Sequence, residues 1–158
     1  MTQPAMTAPR VKRPLEDEEL TKRLTMADDA PFTTIRDLLV YCAALAYHRK
    51  AEPHRFEKTA EPVPFQIFES AQLDKFIDML ALVVSKDHNI LIEERLSERI
   101  EIFERFAASG VGILRQALDS AKGRPALDVL RDLTLDEFRK REGQVVTNLE
   151  HLLSELDN

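Results

Sequence analysis

Apolar side chains recur at intervals of three and four residues along most of this chain, and this spacing predicts a succession of helices. From residue 33 to 47 the chain is apolar on nearly all sides after Asp37, and Thr33 or Thr34 can cap the start. A helix of this kind is buried on most sides, so we expect it to form the centre of the core. A second core helix is predicted over residues 73–85.

The clearest amphipathic pattern runs over residues 89–109, where one apolar stripe is flanked by charged residues. The stripe consists of Ile92, Leu96, Ile100, Phe103 and Phe106 or Ala107. Gly110 and Gly112 could end this helix, but the apolar phase continues to Leu118, so a kinked continuation is equally expected.

Shorter elements are predicted on either side of these helices. An acidic helix over residues 15–25 would turn Leu20 and Leu24 inward. A helical turn is expected over residues 65–69. Gly123-Arg124-Pro125 should end the preceding helix, and a short helix is predicted after it over residues 126–132.

The last segment combines a capping signal with a heptad pattern. Thr134 and Glu137 have the spacing of a capping box, which predicts a helix start at this point. The heptad positions are Leu135, Phe138, Glu142, Val145, Leu149, Leu152 and Leu156. We expect this seam to pack on the domain's own core, with a homodimer through the same helix as the alternative.

These patterns predict an all-α protein, a compact bundle of about six to seven helices with a proline-rich basic connection after the central core helix. Four glycines in 158 residues disfavour a turn-rich β fold. Residues 1–14 lack periodicity and carry three prolines, so they are interpreted as a flexible basic arm before a single helical domain over residues 15–158.

The proline-rich connection, residues 47–65, is the strongest functional signal. It carries six residues that could bind phosphate groups or an acidic partner surface: His48, Arg49, Lys50, His54, Arg55 and Lys58. Tyr47 and Phe56 could add stacking faces for unpaired bases. The competing interpretation is that Arg49 and Lys50 complement the helix dipole, while Arg55 and Lys58 pair with nearby glutamates.

Charge and cysteine content narrow the functional classes. The net charge is -6, which opposes nonspecific attraction to DNA or an anionic membrane, so DNA binding ranks below protein binding. The single cysteine, Cys42, lies in an apolar run and is interpreted as buried and inert.

No catalytic, metal-binding or nucleotide-binding motif occurs in the sequence, so neither an enzyme nor a cofactor or metal is predicted. No apolar run is long enough for a membrane span, and a cytoplasmic protein is the expectation.

Four stretches of the sequence carry a further signal: Arg13-Pro14 and residues 32–49, 56–64 and 94–106, which together span roughly residues 13–118. In these stretches the sequence resembles the small bacterial proteins associated with Dnd-type DNA phosphorothioation systems. The resemblance implies an accessory component of a modification-restriction locus with an anti-phage defence role, acting beside DNA-modifying or DNA-cleaving partners. It brings no catalytic residues to this sequence.

Overall fold

Residues 7–156, which the computed structural model describes, form six α-helices and one two-stranded antiparallel sheet. The helices are α1 (Glu18–Thr25), α2 (Ile35–His48), α3 (Phe65–Ser70), α4 (Asp74–Ser85), α5 (Leu96–Ser120) and α6 (Ala126–Leu156). In the sheet, β1 (Arg10–Val11) pairs with β2 (Val63–Pro64), with Val11 opposite Val63. Short 3₁₀ turns occupy Leu15–Asp17, His88–Leu91 and Glu93–Arg95. The predicted all-α class is confirmed.

Helix α2 is the centre of the core, as the sequence predicted. Thr34 caps its start, because the Thr34 hydroxyl oxygen accepts the backbone N–H of Asp37 at 3.1 Å. Leu38, Cys42 and Ala43 are fully buried. The apolar residues around most of this helix therefore pack on both of its sides.

Helices α2 and α5 cross where Gly110 meets Cys42. A Cβ atom on Gly110 would lie 1.9 Å from the backbone oxygen of Cys42, so only glycine allows this approach. A Cβ on Gly112 would meet nothing within 4 Å. Neither glycine ends the helix: α5 runs without interruption from Leu96 to Ser120.

Two groups of buried side chains flank α2. One joins α2 to β1, β2, α3, α4 and the first half of α5, and is centred on Phe68 and Phe103, whose rings meet edge-on at 5.5 Å. The other joins α2 to α1, the second half of α5 and the start of α6, and contains Leu24 and Leu114. The long α5 therefore spans both halves of the core.

The start of α5 differs from the prediction. The helix begins at Leu96 rather than near residue 89, and two 3₁₀ turns precede it. Ile92, which was assigned to the apolar stripe, is exposed, while Ile90 is buried. The reason is tertiary: Arg99 donates to the carbonyl oxygens of Ile90 and Ile92, each at 2.7 Å, and fixes the preceding chain in a non-helical path.

The predicted helix boundary at Thr134 is wrong, because α6 runs through it without a break. Thr134 donates to the carbonyl oxygen of Leu130 at 2.8 Å and lies 3.0 Å from the Tyr41 hydroxyl. Glu137 binds side chains of α2 instead of a backbone amide. The capping-box residues are thus used for contacts between helices.

Part of the predicted N-terminal arm lies against the helices. Val11 is fully buried, and the backbone N–H of Lys12 donates to the Glu104 carboxylate at 2.6 Å. Arg13 is buried as well and pairs with Glu18. Residues 1–6 of the predicted arm lie outside the described residues, so the division at residue 14 stays a prediction.

Candidate partner-binding site

The proline-rich connection starts from a C-cap of defined geometry. Lys50 adopts a left-handed conformation with φ of 55°, its N–H donates to Tyr47, and the N–H of Ala51 donates to Ala46. This pair of bonds is the Schellman motif, which is usually built with glycine at the left-handed position. It turns the chain sharply at the end of α2 and holds the Lys50 side chain at the surface.

His48 and Arg49 turn toward α6. Both contact Glu137: the His48 ring nitrogen lies 3.1 Å from its carboxylate and the Arg49 guanidinium 2.7 Å. Burial by itself raises the pKa of Glu137, but the hydrogen bond and charge of Arg49 outweigh it, so this pKa lies below its ordinary value. These two predicted site residues therefore connect helices to each other.

The middle of the connection is fixed to α5 and to the chain before α1. The backbone N–H of His54 donates to the carbonyl oxygen of Arg105 at 3.1 Å, and Ser109 donates to that of Glu52 at 2.7 Å. The His54 ring lies 3.2 Å from the Glu16 carboxylate. The connection is consequently held at several points along its length.

Lys50, Arg55 and Lys58 are the cations of the connection that form no ion pair within residues 7–156. The pairing of Arg55 and Lys58 with nearby glutamates, which the sequence offered as the competing interpretation, is not found there. All three side chains are exposed. They are the members of the predicted set that remain open to a binding partner.

Arg55 and Phe56 line a groove between the connection, β1 and the start of α5, with a volume of about 1340 Å³. We call this the β1–α5 groove. Its basic side chains are Arg10, Lys12, Arg55 and Arg105. Its carboxylates are Glu57, Glu93, Glu94, Glu101 and Glu104. The groove therefore combines side chains of both charge signs with the half-buried ring of Phe56, and two of these side chains, Arg105 and Glu101, pair with each other.

Glu104 is the one buried carboxylate of this groove within the described chain. Burial raises its pKa to about 6, and the hydrogen bond from the Lys12 amide offsets only part of that effect. The residue holds β1 against α5 and places a titratable group at the floor of the groove.

A second, smaller pocket of about 250 Å³ lies between α2 and α6. Tyr41, His48, Phe138 and Arg141 line it, together with Ala44 and Leu45. Since Arg55 lines the β1–α5 groove and His48 lines this pocket, the six predicted residues are distributed over separate surfaces.

Several residues of these surfaces were not predicted from the sequence. Arg10 and Lys12 were assigned to a free arm, and Glu101 and Glu104 to a solvated helix face. Glu16 and Glu137 were not recognised as partners of the histidines. The charged stripe on α5 was the available signal, but nothing local indicated which segment would cover it.

Within residues 7–156, no three His, Cys, Asp or Glu side chains form a group that could hold a metal ion. Cys42 is buried as predicted, and burial raises the pKa of its thiol. No helix in this range is long and apolar enough to cross a membrane.

The fold and these surfaces define a small helical protein that carries one charged groove and one largely apolar pocket. The sequence matches the family of DNA sulphur modification system-associated protein 4 over residues 10–152, and the chain belongs to this family. This match confirms the resemblance found in the sequence. No curated protein and no solved structure gave a match.

Proposed function

We propose that this protein is a noncatalytic accessory subunit of a DNA sulphur modification system with an anti-phage defence role. We infer that it acts in the cytoplasm by docking onto another protein of that system. Family membership supports the link to DNA sulphur modification. The observation that carries the docking role is the β1–α5 groove, which cations, carboxylates and Phe56 line together.

The charge pattern of the groove favours a protein partner over nucleic acid. Its four basic side chains lie among five glutamates. A phosphate backbone would gain from the cations but would be repelled by the carboxylates. A protein surface can present charges of both signs in matching positions, which gives specificity and a fixed orientation.

The rigid connection supports the same role. It is tied to α5 through His54 and Ser109, and to the chain before α1 by the hydrogen bond from the Leu15 amide to the Lys58 carbonyl at 2.9 Å. Pro53 and Pro62 restrict its backbone further. A surface fixed before binding loses little conformational entropy on docking.

Co-purification with the products of neighbouring modification genes tests the proposal. Arg55→Glu should reduce capture at least tenfold, because Arg55 is exposed, carries no ion pair and lines the groove. Arg23→Glu makes the same charge change at an exposed site on α1 away from the groove and should leave capture unchanged. Equal capture by both variants, or no capture by the unmodified protein, would reject docking through this groove.

A noncatalytic role has its own test. Titration with Mg²⁺, Mn²⁺ and Zn²⁺ should show no binding and no nuclease activity on plasmid DNA. Metal-dependent cleavage that follows the protein through successive purification steps would contradict this part of the proposal.

Direct DNA binding is the second candidate, and the unpaired cations Lys50, Arg55 and Lys58 favour it. If all three contact phosphates, the slope of log K against log salt concentration should be about -3. Binding to unmodified and phosphorothioate duplexes at low salt tests this alternative. Binding that is absent, or unchanged in Arg55→Glu and Lys58→Glu, would exclude it.

A further inference from the structure

The second half of α6 presents apolar side chains to solvent. Every residue from Phe138 to Asn148 is exposed. Phe138 is 60% exposed, Val145 51% and Val146 54%. The backbone stays helical to Leu156, about 27 Å beyond Phe138 at 1.5 Å per residue. Helices in proteins gain most of their stability from packing an apolar face, so the exposed apolar side of this segment would be stabilised by a partner surface.

The heptad positions along this segment are suited to pairing with α6 of a second copy of the chain. The predicted packing of this seam on the domain's own core is not found at Leu135, Phe138 and Val145, which are exposed. The side chains of Leu149, Leu152 and Leu156 lie outside the described part of the structure. A seam of alternating three- and four-residue spacings is typical of a two-stranded coiled coil.

Glu142 decides the orientation of two such helices. Parallel pairing would place Glu142 beside Glu142 of the second copy in one layer, where like charges repel. Antiparallel pairing about Thr147 places Glu142 opposite position 152 and Val145 opposite position 149, both leucines in the sequence. The antiparallel arrangement separates the two carboxylates.

The charges along α6 also favour the antiparallel arrangement. Arg139, Lys140 and Arg141 lie at one end of the segment, whereas Glu150 and Glu155 lie toward the other. Reversing one helix against another brings the basic end to the acidic end in both copies. Positions 141 and 155 each directly precede a seam position, and along this flank of the seam position 141 of one copy lies beside position 155 of the other. Such complementarity selects one orientation over the other.

We propose that α6 pairs antiparallel with α6 of a second copy of this chain, with the two-fold axis near Thr147. In this register, position 156 of the second copy arrives at Phe138, beside the α2–α6 pocket. The pocket thereby continues the apolar seam. The contact is distinct from the β1–α5 groove and leaves that groove open.

Light scattering of the full chain tests the association. The protein should have twice the mass of one chain, and Val145→Glu should raise the dissociation constant at least tenfold. Gln144→Glu adds the same charge at an exposed neighbouring position off the seam and should stay dimeric. Circular dichroism of both variants checks that the helices are retained.

Charge reversal and spin labels test the orientation. Arg141→Glu should weaken the dimer, and adding Glu155→Arg should restore it. Labels on Lys140→Cys and Thr147→Cys share one heptad position, and the native Cys42 is buried. Antiparallel pairing offsets the two copies of position 140 by about 21 Å along the axis, so the distance at 140 should exceed that at 147.

Three results would overturn the proposal. Equal label distances at positions 140 and 147 would show parallel pairing. A monomer at all concentrations, or a dimer that Val145→Glu leaves intact, would show that a second copy does not cover this seam. If Arg55→Glu loses partner capture but still forms the dimer, the dimer contact through α6 is independent of docking through the β1–α5 groove.

Discussion

At the scale of single residues, the connection depends on one backbone conformation that its side chain disfavours. Lys50 occupies the left-handed position of the Schellman motif, where a Cβ atom costs roughly 1–2 kcal/mol. The chain accepts this cost because the two hydrogen bonds of the motif set the direction in which the connection leaves α2. A lysine at this position also leaves a cation at the surface.

Replacing Lys50 with glycine should therefore stabilise the protein. We expect Lys50→Gly to raise the free energy of unfolding by about 1 kcal/mol in urea titrations. Lys58→Gly serves as the comparison, because Lys58 does not have a positive φ. It should be neutral or slightly destabilising, and a similar gain in both variants would contradict the explanation.

Glu104 provides a pH-dependent prediction at the same scale. Its pKa rises from an ordinary value of 4.5 to about 6 in the folded protein. As pH rises through this interval, Glu104 of the unfolded chain releases its proton before Glu104 of the folded protein. The free energy of unfolding therefore decreases from about pH 4.5, and the penalty for ionising buried Glu104 is fully present above pH 6. At lower pH, both states hold the proton and no penalty exists.

Glu104→Gln keeps an acceptor for the Lys12 amide and removes this pH-dependent loss. Relative to wild type, the variant should gain about 1 kcal/mol between pH 4 and pH 7, allowing for partial solvent screening. Urea titrations at the two pH values measure the difference. Glu94→Gln, at an exposed carboxylate of the same groove, should show the wild-type dependence; equal gains in both would argue against burial as the cause.

At the scale of elements, local patterns predicted the helices that local forces define. Helices α2 and α4 begin and end within about two residues of the expected bounds, because their apolar periodicity, and for α2 the Thr34 cap, are contained in the segments themselves. The start of α5 was missed, since Arg99 fixes the preceding chain through carbonyl groups. A contact of this kind has no signature in the periodicity.

In the candidate site, too, local features were predictable from the sequence and contacts between distant residues were not. The cations of the connection were visible one by one in the sequence, and their partners were not. Glu137 lies 88 residues after Arg49, and Glu16 lies 38 residues before His54. Which cations are neutralised and which stay open depends on how the helices pack, so charge counting within the connection could not decide it.

The crossing of α2 and α5 yields a prediction about elements. Gly110→Ala should destabilise the protein by at least about 2 kcal/mol, because the added methyl group would collide with the Cys42 backbone and push the helices apart. Gly112→Ala, with open space around it, should be neutral or gain up to about 1 kcal/mol from helix propensity. Thermal unfolding of the pair measures this, and equal melting temperatures would contradict the tight crossing.

At the scale of the whole molecule, the N-terminal segment is a structural part of the binding surface. Arg10 and Lys12 line the β1–α5 groove, while Val11 between them points into the core. The alternation of these three residues suits a short strand with one buried face and one open face. The fold thus uses β1 both to close the core and to supply charges to the groove.

Val11→Ala should test this structural role. The lost methyl groups are fully buried, so the free energy of unfolding should fall by about 2 kcal/mol. Lys12→Ala should cost little, because the backbone of Lys12, and not its side chain, binds Glu104. Denaturant titrations compare the two, and a neutral Val11→Ala would restore the interpretation of a free arm.

The pairing of β1 has a consequence for synthesis on the ribosome. The partners of β1 and of the residue after it are translated later: Val63 follows Val11 by 52 residues, and Glu104 follows Lys12 by 92. Contacts between distant parts of a chain form slowly, and the amide of Lys12 has to wait for α5 even if β1 has already paired with β2. The groove is therefore complete only after α5 has been translated, and a chain truncated before α5 cannot present it.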